Sequence, residues 1–137
     1  MPGNQGGMPG NQGGMSANQP PRSWERPLAG VREISTAGEL AEALASAGGR
    51  RVVLDCGASW CGPCKAIAPV FKRLAAAHAA TVVALTMDVE EAAELAAMLS
   101  VTSMPTFFVF LDGEVVRQFS GAKPDELLAA FSEDLSR

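Results

Sequence analysis

Strand-like and helix-like stretches alternate along most of this chain, and the alternation limits the folds open to it. Continuous apolar runs predict buried strands, and apolar residues spaced three and four apart predict amphipathic helices. The predicted strands are 31–34, 52–56, 81–87 and 106–111, and the predicted helices are 36–47, 61–79, 91–99 and 124–135. Parallel strands need crossover connections, so this order favours a sheet with helices on both faces.

The end of the pattern changes from crossovers to a hairpin. Asp112-Gly113 follows the strand at 106–111 directly, and this residue pair is typical of tight hairpin turns. We therefore predict that 114–120 returns as an antiparallel strand before the last helix. The full order is β-α-β-α-β-α-β-β-α. It predicts an α/β fold, a three-layer α/β/α sandwich around a central mixed five-stranded sheet.

The beginning of the chain has a different composition. Residues 1–14 are the heptapeptide MPGNQGG written twice, and 15–21 form a degraded third copy without a charged side chain. Gly, Pro, Asn and Gln bury too little apolar surface to offset the entropy of ordering. We predict a disordered tail over 1–27 and a folded domain over 28–137. The tail is either passive or a tether that binds a partner.

Charge and cysteine content narrow the partners and the compartment. The 137 residues carry a formal net charge of −4 without a basic cluster, which argues against nucleic acid and anionic membrane as partners. No apolar run approaches the roughly 20 residues of a membrane-spanning helix. Three cysteines are few for a secreted disulfide scaffold, and no signal-peptide core follows Met1. We therefore expect a cytoplasmic protein.

Two of the three cysteines lie close together, in the stretch SWCGPCK at 59–65. Cys61 follows a predicted buried strand and opens a helix, where unpaired N–H groups and the helix dipole stabilise a thiolate. Cys64 comes one turn later, within reach of Cys61. We predict that Cys61 is more exposed and attacks a disulfide, and that Cys64 is more buried and resolves the mixed disulfide.

Two other uses of this pair are less favoured. A structural zinc site needs four ligands, and only Cys56 and His78 remain as further Cys or His residues. Cys56 lies on a predicted buried strand, and His78, expected at the surface without a role, is roughly 25 Å along the helix from Cys61. A structural disulfide across so short a loop would constrain the unfolded chain little. We expect no metal, and redox exchange fits best.

The hexapeptide WCGPCK at 60–65 matches the active-site motif of the thioredoxin family, which the chain resembles from about Val31 to Leu135. Other residues that carry the resemblance are Asp55, Pro69, Met104-Pro105-Thr106, Gly113 and Gly121. The resemblance implies the thioredoxin fold and a protein-disulfide reductase with a redox-active disulfide that acts on disulfide-containing target proteins. It further implies electron transport in cell redox homeostasis. Thioredoxin reductase would supply electrons from NADPH to a monomer that needs no bound cofactor.

The resemblance also implies roles for single residues around the cysteines. Asp55 would be a buried carboxylate with a raised pKa that handles the Cys64 proton. Trp60 would shield the thiol and contact targets. Gly62 and Pro63 would set a reducing potential, about −270 mV in thioredoxins.

The remaining motif positions are implied to support the site and to bind targets. Lys65 completes the active-site motif. Pro105 would follow a cis peptide bond, in a loop that faces the cysteine pair. The backbone of Met104 would pair with an extended target chain.

Three positions depart from the family pattern. Cys56 stands where many members carry Phe, Gly57 where bacterial members often carry Trp, and Ala84 where many members carry Lys. We expect Cys56 to fill the core, with redox regulation as the alternative. Without a cation at position 84, Asp55 should be harder to ionise.

Two other functions stay open at this point. A binding module would use the groove at Met104 and Pro105, with the tail as a tether. A thiol oxidant or isomerase would differ mainly in redox potential, and Gly62-Pro63 favours reduction instead.

Overall fold

The structure is a computed structural model that describes residues 30–132. The predicted tail at 1–27 and the domain boundary at 28 lie outside the described residues. The strands are β1 (Val31–Glu33), β2 (Arg51–Gly57), β3 (Val82–Asp88), β4 (Thr106–Leu111) and β5 (Glu114–Ser120). The helices are α1 (Ala37–Ala45), α2 (Gly62–Ala77), α3 (Ala93–Met98) and α4 (Pro124–Ser132). The predicted order of elements is confirmed.

The strands form one mixed sheet in the order β1-β3-β2-β4-β5. Strands β1, β3 and β2 run parallel, because helices carry the chain back between them. Strand β4 pairs antiparallel with both β2 and β5. Asp112 and Gly113 make the hairpin turn with φ values of 53° and 83°, the left-handed region that such turns require. The predicted mixed five-stranded sheet is confirmed.

Each face of the sheet is covered by two helices, which gives the predicted three layers. The core on one face is built with residues of α2 and α4, and the core on the other with residues of α1 and α3. Alternate residues of β2 point to opposite faces. Val53 lies in the first core, whereas Leu54 and Cys56 lie in the second. This alternation places Asp55 on the face covered by α2.

The helix boundaries lie within two residues of the predicted ones, except that the predicted end of the last helix at 135 lies outside the described residues. Helix α1 begins with a capping box, since the Glu39 N–H donates to Thr36 Oγ1 at 3.1 Å and the Thr36 N–H donates to the Glu39 carboxylate at 3.1 Å. Met98 on α3 is 66% exposed. The buried side of α3 is centred on Ala92, Leu95 and Ala96, and Met98 lies to one side of it.

Helix α2 carries Pro69 in its interior without interruption. It begins at Gly62 rather than Cys61 and ends at Ala77, where His78 caps it. The His78 side chain, expected at the surface, is half-buried, and its ring lies 5.9 Å from that of Phe131. Within residues 30–132, the helices are too short or too polar to cross a bilayer.

Candidate active site

The cysteine pair lies at the junction of β2 and α2. A short connection follows Gly57, and the Cys61 N–H donates to the Ala58 carbonyl at 3.2 Å. Cys61 and Cys64 form a disulfide with their Cα atoms 5.3 Å apart. In the part of the chain that the structure describes, no group of three His, Cys, Asp or Glu side chains is arranged to hold a metal ion.

Cys61 is the N-cap residue of α2. Its backbone is extended, with φ −84° and ψ 117°, and its Sγ accepts a hydrogen bond from the Cys64 N–H at 3.2 Å. The Cys61 carbonyl accepts from the Lys65 N–H at 3.1 Å. Pro63 stands in the first turn, where its missing N–H costs no helical hydrogen bond. A negative sulfur at Cys61 is therefore stabilised by an N–H group and by the helix dipole.

The predicted difference in exposure between the two cysteines is wrong. Cys61 is 5% exposed, and Cys64 is half-buried. The Met104 carbonyl oxygen lies 3.9 Å from Cys61 Sγ and helps to cover it. Cys64 instead faces Gly57, which has no side chain to cover its sulfur. Exposure therefore gives no reason for Cys61 to attack first, whereas the N–H donor at the helix end does.

Asp55 lies on the same side of β2 as the cysteine pair. Its register neighbours are Thr86 on β3 and Phe107 on β4, so few polar groups lie beside the carboxyl group. Burial raises the pKa of Asp55 to about 7, as the resemblance implied. Ala84 is buried beside Val53 in the apolar core of this face. The position where many family members carry Lys thus contributes no charge.

Cys56 points to the opposite side of the sheet from Asp55. Its side chain is fully buried in the core under α1 and α3. Burial, and then the charge of Asp55, raise the pKa of the Cys56 thiol far above its ordinary value. A thiol in this state is a poor nucleophile. The expectation that Cys56 fills the core is confirmed.

The loop before β4 faces the cysteine pair, as the resemblance implied. The Met104–Pro105 peptide bond is cis. The Pro105 carbonyl accepts from the Gly121 N–H at 2.8 Å. The buried Thr106 hydroxyl donates to the Ser103 carbonyl at 2.7 Å. These contacts hold the loop so that the Met104 carbonyl meets Cys61 Sγ.

Trp60 projects from the protein surface next to Cys61. Its side chain is 59% exposed, and its Nε1–H donates to the Glu90 carboxylate at 2.8 Å. Glu90 follows β3, where its own N–H donates to the Asp88 carboxylate at 2.8 Å. The sequence analysis missed the contact with Glu90. The sequence could have indicated this contact. Glu90 comes just after β3, and because β3 runs parallel to β2, its carboxyl end lies at the same edge of the sheet as the cysteine motif.

The remaining motif residues line the opening of the site. Gly62, Pro63 and Lys65 are exposed in the first turn of α2. The structure thus brings together all the site residues that the sequence indicated, and adds Glu90 and the open face of Gly57.

The chain is similar in sequence to known proteins over about three quarters of its length. The family model described as Thioredoxin matches residues 33–134. A thioredoxin of Ovis aries is 43% identical over 103 residues, which cover 75% of this chain and 97% of that relative.

Solved structures are similar in fold as well. A poplar thioredoxin h superposes on this chain with a TM-score of 0.71 at 32% sequence identity. The superposition covers 77% of this chain and 99% of the poplar chain. Mitochondrial thioredoxin 3 of Saccharomyces cerevisiae superposes with a TM-score of 0.70 at 28% sequence identity. The superposition covers 77% of this chain and 97% of the yeast chain.

Proposed function

The chain belongs to the thioredoxin family and is a protein dithiol–disulfide oxidoreductase, and from this premise we propose that Cys61 attacks and Cys64 resolves. The Cys61 thiolate attacks one sulfur of a target disulfide, and the other target sulfur leaves as a thiolate. Cys64 then attacks Cys61, which forms the Cys61–Cys64 bond and releases the second target thiolate. The target gains two electrons, and the cysteine pair loses them.

The N-cap geometry of Cys61 carries this proposal. Its Sγ accepts the Cys64 N–H at 3.2 Å, so the charge that the attacking thiolate must hold is already matched by a donor. Cys64 lies inside the first turn of α2. Its sulfur is bonded to that of Cys61, so the reach needed for resolution is present.

We assign Asp55 the proton of Cys64. A carboxyl group with a pKa of about 7 is ionised in part of the population near neutral pH, where it works best as a base and as an acid. The ionised form takes the proton as Cys64 attacks. The protonated form can return it to a departing target thiolate.

Targets would bind across Trp60 and the cis-proline loop. The exposed indole of Trp60 offers an apolar surface, and the Glu90 carboxylate fixes its orientation. In the described part of the chain, no hydrogen bond uses the Met104 N–H. Met104 and Pro105 could therefore accept an extended target chain by strand addition. Gly62 and Pro63 would set the reducing potential, with Lys65 as a supporting neighbour.

The cycle needs an electron donor that restores the dithiol. As the donor we assign NADPH-dependent thioredoxin reductase, the partner that the family resemblance implies. The site is complete within one chain, which supports a monomer. Reduction of targets suits a reducing compartment, and we assign the cytoplasm, where the protein would serve electron transport. Fractionation of the source cells would test the compartment.

Reduction of insulin with dithiothreitol tests the function. We expect catalysis by the wild type, none by Cys61→Ser, and near wild-type activity from Cys56→Ala, the matched control that removes a thiol outside the pair. Equal activity of Cys61→Ser and wild type would show that the proposal is wrong.

Trapping tests the order of the two steps. Cys64→Ser should accumulate a mixed disulfide between Cys61 and a target, visible as a gel shift that dithiothreitol reverses. Cys61→Ser should accumulate little under the same conditions. The opposite result would mean that Cys64 attacks first.

A further inference from the structure

Thr106, the first residue of β4, carries a buried hydroxyl group beside the loop that covers the cysteine pair. The residue is only 2% exposed. Its hydroxyl donates to the Ser103 carbonyl at 2.7 Å and lies 3.0 Å from Ser120 Oγ on β5. A buried polar group is costly without partners, so these two contacts allow the hydroxyl to lie inside the protein.

The two hydroxyl groups form a chain of hydrogen bonds with one direction. The Thr106 hydroxyl has a single hydrogen, which it donates to the Ser103 carbonyl. In the contact between the two side chains, Ser120 therefore donates and Thr106 accepts. A hydroxyl group that accepts a hydrogen bond is polarised and becomes a better donor. Ser120, which is paired with Thr106 in the register of β4 and β5, thus strengthens the bond from Thr106 to Ser103.

The Ser103 carbonyl belongs to the same peptide group as the Met104 N–H. This peptide bond is trans, and in a planar trans peptide the C=O and the N–H point in opposite directions. Because Thr106 binds the carbonyl from inside the protein, the Met104 N–H points away from the interior. Within residues 30–132, no hydrogen bond uses this N–H, so it is available to a target.

The next two carbonyl groups of the loop have other partners. The Met104 carbonyl lies 3.9 Å from Cys61 Sγ, and the Pro105 carbonyl accepts the Gly121 N–H at 2.8 Å. These contacts orient the peptide groups that follow Met104. The peptide group before Met104 can still rotate about the φ angle of that residue. The hydroxyl chain from Ser120 restrains this rotation, because it binds the Ser103 carbonyl.

We propose that Ser120 and Thr106 are positioning residues for target recognition: their hydroxyl chain fixes the plane of the Ser103–Met104 peptide and so directs the Met104 N–H toward the backbone of an extended protein target. The inference rests on the proposed binding of targets at Met104 and Pro105. It makes the effect of the hydroxyl pair depend on the substrate. A peptide target offers carbonyl groups for strand addition, whereas a small disulfide without peptide groups offers none.

Stopped-flow single turnovers of the reduced full-length protein with two substrates test this difference. One substrate is a disulfide-bonded peptide, and the other is a small aromatic disulfide that has no peptide group. Thr106→Val keeps the shape of the side chain and removes the hydroxyl. We expect it to lower the second-order rate constant for the peptide about five- to tenfold, the usual weight of one hydrogen bond. The rate constant for the aromatic disulfide should stay near the wild-type value.

Destabilisation of the fold would give a different result. It would reduce the amount of folded protein and would therefore lower both rate constants by the same factor. Thr106→Ser keeps the hydroxyl and should restore the rate with the peptide nearly to that of the wild type. Such a rescue is not expected if the methyl group of Thr106 and its packing are what matters.

A second variant and a matched control complete the design. Ser120→Ala, at an exposed position, should slow the peptide reaction about twofold and should have no further effect in the Thr106→Val background, because the hydroxyl that it polarises is gone. Thr81→Val is the control. Thr81 Oγ1 also donates to a carbonyl three residues earlier, that of His78 at 3.4 Å, but at the far end of α2. This variant should behave as the wild type with both substrates.

Several results would overturn the inference. They are equal slowing of both substrates by Thr106→Val, unchanged reaction with the peptide, no rescue by serine, or a further effect of Ser120→Ala in the valine background. If Thr106→Val does not fold, Ser120→Ala decides alone: selective slowing of the peptide supports the inference, and equal or absent slowing refutes it. A failure of the proposed function would instead appear as reduction of the peptide by Cys61→Ser.

Discussion

Asp55→Asn should stabilise the folded protein, by an amount that grows with pH. Burial raises the pKa of Asp55 from 3.8 to about 7. Between these values the folded state keeps a proton that the unfolded chain releases. The stability of the wild type therefore falls as pH rises through this window, by about 1.4 kcal/mol per pH unit at most. Asparagine has nearly the same shape and no charge to bury.

The size of the effect follows from the two pKa values. They differ by about three, and each pKa unit corresponds to about 1.4 kcal/mol. Above pH 7 the asparagine variant should therefore be more stable by up to about 4 kcal/mol. Near pH 4 both side chains are neutral in the folded state, and the two proteins should be close in stability.

Urea unfolding of the oxidised proteins from about pH 4 to about pH 9 measures this difference directly. Asp112→Asn is the matched control, because Asp112 is exposed in the hairpin turn and asparagine also accepts its φ of 53°. The free energy of unfolding of this control should run parallel to that of the wild type. If the Asp55→Asn curve also ran parallel at every pH, Asp55 would have an ordinary pKa and our account of its burial would be refuted.

Three further substitutions test the packing and the target surface. Thr36→Ala should lower the free energy of unfolding by about 1 kcal/mol, because it removes the cap of α1. Phe107→Ala should lower it by about 3–5 kcal/mol, because the fully buried ring stacks on Phe119 at 5.1 Å and lies near Phe71. Both are measured by urea unfolding. Trp60→Ala should raise KM for insulin several-fold and leave the rate with a small aromatic disulfide nearly unchanged, because the indole is exposed beside the pair.

The order of strands and helices could be predicted because each element has its own periodicity. Buried runs such as 52–56 and 106–111 and the turn at Asp112-Gly113 are local patterns, and the structure confirms them. Neighbours within the sheet are less local. Strand β2 lies between β3 and β4, and no residue pattern within β2 indicates which strands lie beside it. The order of the strands within the sheet was therefore not predicted, and it comes from the structure alone.

The sequence predicted which residues form the site, but it did not predict how exposed each cysteine is. The motif places Cys61 at a helix start from sequence alone, since a strand directly precedes it. What covers Cys61 is the Met104 carbonyl, 43 residues further along the chain. The contact of Trp60 with Glu90 likewise joins residues 30 apart. Such contacts leave no periodic signal, so their effect on exposure appeared only in the structure.

The alternation along β2 decides which thiols take part in the chemistry. Both faces of this strand are buried, so its apolar run does not state which residues face which helices. Asp55 and Gly57 indicate which residues face α2. Burying a carboxyl group costs least at the edge of the core, and glycine is needed at position 57 because Cys64 approaches it closely. A shift by one residue would turn Cys56 toward Cys64 and bury Asp55 under α1 and α3. The observed register keeps Cys56 on the far side of the sheet, so a third thiol so close in sequence does not compete for the Cys61–Cys64 disulfide.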